Sequence, residues 1–107
     1  MKAQKLTVKG MWIDHDLPTG RKSFLRVQYG DRYFFVFINY TNYALGNWGV
    51  AVIETDAIYN MYVPQRNWHT LQVNTNQVYN LEQLKTEAVR AAQIFIVNKY
   101  GDNAARI

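Results

Sequence analysis

Cysteine is absent from this chain of 107 residues, so its fold contains neither a disulfide nor a cysteine-ligated metal. Nucleophilic and acid–base side chains are also scarce, since there are two histidines and Ser23 is the only serine. No glycine flanks Ser23, which excludes the nucleophile-elbow pattern of hydrolases. These shortages predict a protein that is not an enzyme, with no catalytic residues, no cofactor and no metal site.

No stretch of 18 apolar residues occurs, so no membrane-spanning helix is predicted. Residues 1–5 lead directly into a strand-like pattern, without the apolar core of a signal peptide. Because small secreted proteins usually carry disulfides, we expect a cytoplasmic protein. The length predicts one domain over residues 1–107.

Aromatic residues are abundant at 15%, and they favour both strands and interfaces. Period-two alternation and short apolar runs predict strands over 5–9, 23–29, 33–38, 48–55 and 68–73, and 58–63 could form a further short strand that ends before Pro64. The run 33–38 is apolar throughout, which is typical of a central strand covered on both faces. Gly10, inside the first alternating region, indicates a bulge or a bend.

A helix is predicted after the strands. Asn80 is its expected N-cap and Gln83 the answering residue of a capping box. The predicted buried stripe consists of Leu84, Ala88, Ala91, Ala92 and Phe95. The sequence therefore predicts an α+β fold, in which an antiparallel sheet of five to six strands packs on one C-terminal helix.

Ile94, Ile96 and Val97 extend the apolar surface around the last turns of this helix. Two explanations remain open at this point. A loop or the chain's C-terminal tail covers these residues, or they form the contact of a homodimer.

The net charge of +4 arises entirely within residues 1–32, and the rest of the chain is neutral. The cations expected to form a binding surface are Lys5, Lys9, Arg21, Lys22 and Arg26. A tight turn at residues 16–19 predicts a register in which Lys9 faces Arg26 and Met11 faces Phe24. The cations of this register then project from the face of the sheet opposite to Leu6 and Val8.

The first functional hypothesis is a protein-binding module, such as the small inhibitors and adaptors that phages and mobile elements encode. The basic hairpin would complement an acidic partner. Rigid aromatic anchors would supply contact area, and the candidates are Phe24, Tyr40, Tyr43, Trp48, Tyr62 and Trp68.

Two alternatives remain. The same cations, with Phe24, Tyr40 or Trp12 as stacking rings, could bind single-stranded or non-specific nucleic acid. A curled sheet could instead enclose a ligand-binding or enzymatic pocket, which requires a cavity with converging polar groups.

The triplet Asp14-His15-Asp16 contains three residues of types that can bind a metal. In a strand Asp14 and Asp16 share one face while His15 points the other way, so three ligands do not converge. Turn formation by the aspartates is the simpler prediction.

Overall fold

The computed structural model describes residues 6–18, 20–40, 48–73 and 80–101. The elements are β1 (Thr7–Val8), β2 (Ile13–Leu17), β3 (Gly20–Tyr29), β4 (Arg32–Tyr40), β5 (Trp48–Thr55), β6 (Trp68–Leu71) and the helix α1 (Leu81–Tyr100), with a 3-10 turn, Gln65–Asn67, before β6. All strand pairs are antiparallel in one six-stranded sheet, and α1 packs on one face of it. The predicted α+β fold is confirmed.

The strand β4 lies at the centre of the sheet, whose order is β1-β3-β4-β5-β6 with β2 also pairing to β3. Every residue from Phe34 to Ile38 is buried, as the continuous apolar run predicts. Alternate residues supply two different cores. Phe34, Val36 and Ile38 face α1, while Phe35 and Phe37 belong to a second cluster on the opposite face.

The first hairpin contains a bulge at the position that Gly10 indicates. Before the bulge, Val8 pairs with Val27, and the Lys9 N–H donates to the carbonyl of Arg26 at 2.8 Å. After it, Ile13 pairs with Phe24 and Leu17 with Gly20. The predicted pairing of Lys9 with Arg26 is therefore correct, but Met11 does not face Phe24, because the turn lies one residue later and the bulge absorbs the difference.

The helix α1 begins where the capping box predicts. The side chain of Asn80 accepts a hydrogen bond from the Gln83 N–H at 2.9 Å. Four apolar side chains on one stripe of the helix are fully buried against the sheet: Leu84, Ala88, Ala92 and Ile96. Ala91 and Phe95, which the sequence places on this stripe, lie at its margin and are half-buried. The three alanines make the stripe shallow enough for close packing.

The segment after β5 is not a strand. Residues 56–64, called here the Tyr59 loop, fold back over the face of the sheet that α1 leaves open. The prediction of a strand over 58–63 is wrong, because Asp56 and Asn60 bind backbone N–H groups of the segment itself and close it into turns. In the described residues, no helix has both the length and the apolar character needed to cross a membrane.

Candidate functional site

The face of the sheet opposite to α1, called here the outer face, carries a dense aromatic cluster. Phe35, Phe37, Ala51 and Ile53 are its buried members, and Phe24, Tyr59, Val63 and Trp68 pack around them. The Phe24 ring centre lies 4.9 Å from that of Phe37, and the Trp68 ring centre lies 5.4 Å from the same ring. Most of these rings meet edge to face, so the cluster forms a second core rather than an open stacking platform.

The Tyr59 loop is internally hydrogen-bonded. One carboxylate oxygen of Asp56 accepts from the Ile58 N–H at 3.2 Å and the Asn60 N–H at 3.1 Å. The side-chain oxygen of Asn60 accepts from the Tyr62 N–H at 2.9 Å. These bonds give the loop a defined backbone conformation.

Tyr59 anchors this loop to the outer face. Its ring centre lies 5.6 Å from that of Tyr33 and 5.7 Å from that of Phe35. Burial, followed by the neighbouring Tyr33, raises the pKa of the Tyr59 phenol above its ordinary value, so the hydroxyl stays protonated and acts as a hydrogen-bond donor.

The anchored loop leaves three apolar side chains in water. Tyr62 is 94% exposed, Ile58 is 81% exposed and Met61 is 48% exposed. Large apolar side chains grouped on a short ordered loop are typical of binding sites, since single exposed apolar residues are common but clusters are not. This apolar tip is the most exposed feature on this side of the molecule.

Three of the predicted cations share the outer face. Alternation along β3 puts Lys22 and Arg26 on this face, about 13 Å apart at four residues of strand rise. Lys9 lies across from Arg26. Within the described ranges, no carboxylate forms an ion pair with any of the three.

Arg26, a residue of β3, lies near Gly10 of the bulge and also acts on Tyr59. Its guanidinium packs against Gly10, where an added Cβ would come within 2.8 Å of Nη2. Its Nε is buried and has no hydrogen-bond partner among the described residues. The positive charge of Arg26 also acts on Tyr59, whose pKa it lowers against the effect of burial. Arg26 thus lies close enough to Tyr59, the anchor of the loop, to act on it electrostatically.

Arg21 does not lie on the outer face. It lies on the helix side of the sheet, where its guanidinium pairs with Asp16 and approaches Asp14 at 4.0 Å. These contacts raise the pKa of Arg21, chiefly through the hydrogen bond to Asp16. The hairpin cations thus divide between two faces because strand neighbours point in opposite directions. Lys5 lies outside the described residues.

The six aromatic candidates differ in their positions. Tyr62 is almost fully exposed, whereas Phe24 and Trp68 are half-buried in the outer cluster. Tyr40 and Trp48 pair across β4 and β5 and pack against the core on the helix side. Tyr43 lies outside the described residues. Of the five candidates that the structure describes, Tyr62 alone is almost fully exposed, as expected of a contact residue.

The three residues predicted to form an oligomer contact also differ in their exposure. Ile94 is 56% exposed, while Ile96 is 0% exposed and belongs to the core between α1 and the sheet. Val97 is half-buried against that core. Ile96 is therefore unavailable for a subunit contact, because the helix turns it inward with Ala88 and Ala92.

A polar network links β2 to α1. The carboxylate of Asp14 accepts from the hydroxyl of Ser23 at 2.6 Å and from the ammonium of Lys85 at 3.2 Å. The hydrogen bond from Ser23 lowers the pKa of Asp14; burial opposes this effect, and Lys85 and Arg21 lower the pKa further, so that it lies below its ordinary value. The Lys85 ammonium also lies 5.4 Å from the Trp12 ring centre. Asp14 thus acts in a strand, not in a turn as predicted.

The positions of Asp14 and Asp16 agree with the sequence argument about metals. They share a face on which Arg21 and Lys85 neutralise them, while the His15 ring lies on the other face, 5.9 Å from Phe24. Among the described residues, no three His, Cys, Asp or Glu side chains gather to hold a metal.

The described side chains border surface grooves. One of about 640 Å³ lies between the first hairpin and α1, and one of about 460 Å³ lies between β6 and α1. Among the described residues, β6 and the β1/β2 side form the two edges of the sheet, and no described strand joins them.

Comparison with protein-family models, with curated proteins and with solved structures finds no significant match to this chain.

Sequence reasoning missed Ile58, Met61 and the anchoring role of Tyr59. The apolar residues of 58–63 resemble a strand, and this resemblance concealed the loop. The available signal was Asp56 followed four residues later by Asn60, since both residue types bind nearby backbone N–H groups and initiate turns.

Proposed function

We propose that this chain is a non-enzymatic protein-binding module, an inhibitor or adaptor that contacts its partner through the Tyr59 loop and the adjacent cations. The observation that carries the proposal is the exposure of Ile58 and Tyr62, at 81% and 94%, on a loop that Tyr59 holds in place. Tyrosine is enriched among residues that dominate binding energy. A loop ordered before binding also loses less conformational entropy in the complex.

The charge of the outer face supports a particular kind of partner. Arg26 acts on Tyr59, the anchor of the loop, and Lys9 lies across from Arg26. Neither cation has a counterion among the described residues, so an acidic rim on the partner would complement them. The partner we propose presents an apolar pocket for Ile58 and Tyr62 with carboxylates at its margin. Such charges mainly accelerate association, whereas the apolar contacts slow dissociation.

A photo-crosslinking amino acid placed at position 62 tests this proposal in the cells from which the chain derives. We expect a discrete covalent adduct with one protein, and we expect Ile58→Asp in the same chain to abolish it. The matched control carries the crosslinker at Met11, which is 81% exposed at the opposite edge of the sheet. Identical adducts from positions 62 and 11, or none from position 62, would contradict the proposal.

Nucleic-acid binding is the second candidate, and Lys9, Lys22 and Arg26, which form no ion pair with a described carboxylate, favour it. The packed ring edges of the outer cluster give it less support, because stacking requires exposed ring faces. Fluorescence anisotropy with labelled single and double strands separates the two candidates. Three phosphate contacts predict a slope of log K against log salt of about −2 to −3. Arg26→Gln should make this slope shallower by the contribution of about one contact.

A further inference from the structure

The two free edges of the sheet differ in how they are protected from pairing. The edge formed by β1 and β2 is interrupted by the bulge at Gly10, and it carries the charged side chains of Lys9, Asp14 and Asp16. Bulges and charges are the usual means of preventing association through an edge strand. This edge is therefore protected.

The edge at β6 has neither form of protection. Trp68–Leu71 pairs with β5 without interruption, and the strand Trp-His-Thr-Leu contains no acid and no lysine or arginine. No described strand pairs with its other side, where alternate backbone N–H and C=O groups point outward. An added strand would hydrogen-bond to these groups.

An apolar groove of about 460 Å³ continues from this edge to α1. Leu71 and Val73 line it on the sheet side, and Ala91, Ile94 and Phe95 line it on the helix side. Ile94 is 56% exposed where it lines this groove. Backbone groups and apolar area thus lie side by side, which is the combination that strand addition uses.

We infer that the β6 edge binds a second copy of this chain, so that β6 pairs antiparallel with β6 of the partner copy about a two-fold axis. The charge of the groove supports this occupant. Glu87 and Arg90 are its charged lining residues, and they pair with each other at 3.8 Å, so the two copies meet without an excess of one sign. The outer face, with its three unpaired cations, would instead repel its own copy.

The geometry of the groove also suits a two-fold axis. The rings of His69 and Phe95 lie 5.1 Å apart, and Thr70 and Ile94 line the same groove, so the side of α1 that carries Ile94 lies next to β6. An axis close to Thr70 extends the sheet across both copies and keeps both helices on the same side. The two grooves then merge, and Ile94 of each copy leaves water.

Because the chain contains no cysteine, a single introduced cysteine reports on this contact without interference. We expect Thr70→Cys to be crosslinked between copies by a short bismaleimide reagent, and the matched control Met11→Cys at the protected edge to remain uncrosslinked at the same concentration. Equal crosslinking of the two variants would overturn the inference.

Sedimentation equilibrium supplies the second test. The apparent mass should rise with concentration from that of one chain toward that of two, and Ile94→Lys should raise the dimer dissociation constant about tenfold or more. Circular dichroism verifies that Ile94→Lys is folded. A wild-type mass that stays at one chain across the concentration range would overturn the inference and leave an extended segment of another protein as the occupant. Neither result bears on crosslinking at position 62, which belongs to the other face.

Discussion

The phenol hydroxyl of Tyr59 donates a hydrogen bond of 3.0 Å to the carbonyl oxygen of Val27, a residue of β3 that lies 32 positions earlier. The backbone of Tyr59 is left-handed, with φ of 56°, and this conformation costs a non-glycine residue on the order of 1 kcal/mol. The hydrogen bond and the ring contacts to Tyr33 and Phe35 offset that cost. A strained residue at the base of an exposed loop is consistent with a binding role.

Tyr59→Phe keeps the ring contacts and removes the hydrogen bond. We expect the loop to lose about 1 kcal/mol of local stability, the usual net value of one such bond. Amide hydrogen exchange of residues 58–62 should accelerate accordingly, with little change in β4. The control is Tyr62→Phe, since the Tyr62 side chain is almost fully exposed. Equal acceleration in both variants would show that the bond to Val27 does not hold the loop.

Replacing Asp14 and replacing Lys85 should lower the free energy of unfolding by unequal amounts. Lys85 is 7% exposed, so Asp14→Ala leaves a buried ammonium whose nearest other carboxylate is Glu82 at 3.8 Å. We expect a loss of about 2 kcal/mol, the value for a hydrogen bond to a charged group. Lys85→Met should cost less, because Asp14 keeps Ser23 and a water-exposed side, and methionine fills the same space. Urea unfolding measures both, and equal losses would contradict this account.

The lowered pKa of Asp14 predicts that the free energy of unfolding decreases at acid pH. Its folded-state pKa lies below the unfolded value of about 3.9, so its contribution is fully present above pH 4. The contribution is lost as the pH falls through the folded-state pKa. The difference in unfolding free energy between the wild type and Asp14→Asn should therefore be constant from pH 5 to 7 and shrink at lower pH. A difference that does not change down to pH 2 would exclude the ionised carboxylate as its source.

Two isoleucines on α1 provide a matched test of how the helix packs on the sheet. Ile96 is 0% exposed and Ile94 is 56% exposed, although they are two positions apart. Ile96→Ala should cost about 3 kcal/mol because it opens a cavity in the core, whereas Ile94→Ala should stay within about 0.5 kcal/mol. Thermal unfolding at low protein concentration measures both without a contribution from association. Similar costs would mean that the helix is rotated from the position described.

Several features could be predicted from the sequence because they depend on local patterns. The apolar run of β4 and the Asn80 cap specify their elements with residues that lie next to each other. The pairing of Lys9 with Arg26 also followed from alternation, although the turn was placed one residue early. Local rules were insufficient for residues 58–63, where an apolar pattern suited both a strand and a loop.

The proposed binding surface depends on contacts between distant parts of the chain. Val27 and Tyr59 lie 32 positions apart, and the bond between them joins the loop that carries Ile58 to β3. Lys85 is equally instructive, since a lysine on a helix is normally exposed, and only the approach of Asp14 from β2 accounts for its burial.

The order of residues by itself determined the central strands, the helix, their apolar faces and the concentration of positive charge in the first hairpin, because each depends on periodicity or composition. The folded structure alone decided that residues 56–64 form a loop, which cations lack an ion pair with a described carboxylate, which aromatic side chains reach water and which edge of the sheet has no further described strand. These properties depend on which distant groups become neighbours, and the packing of the sheet against α1 and the Tyr59 loop determines that.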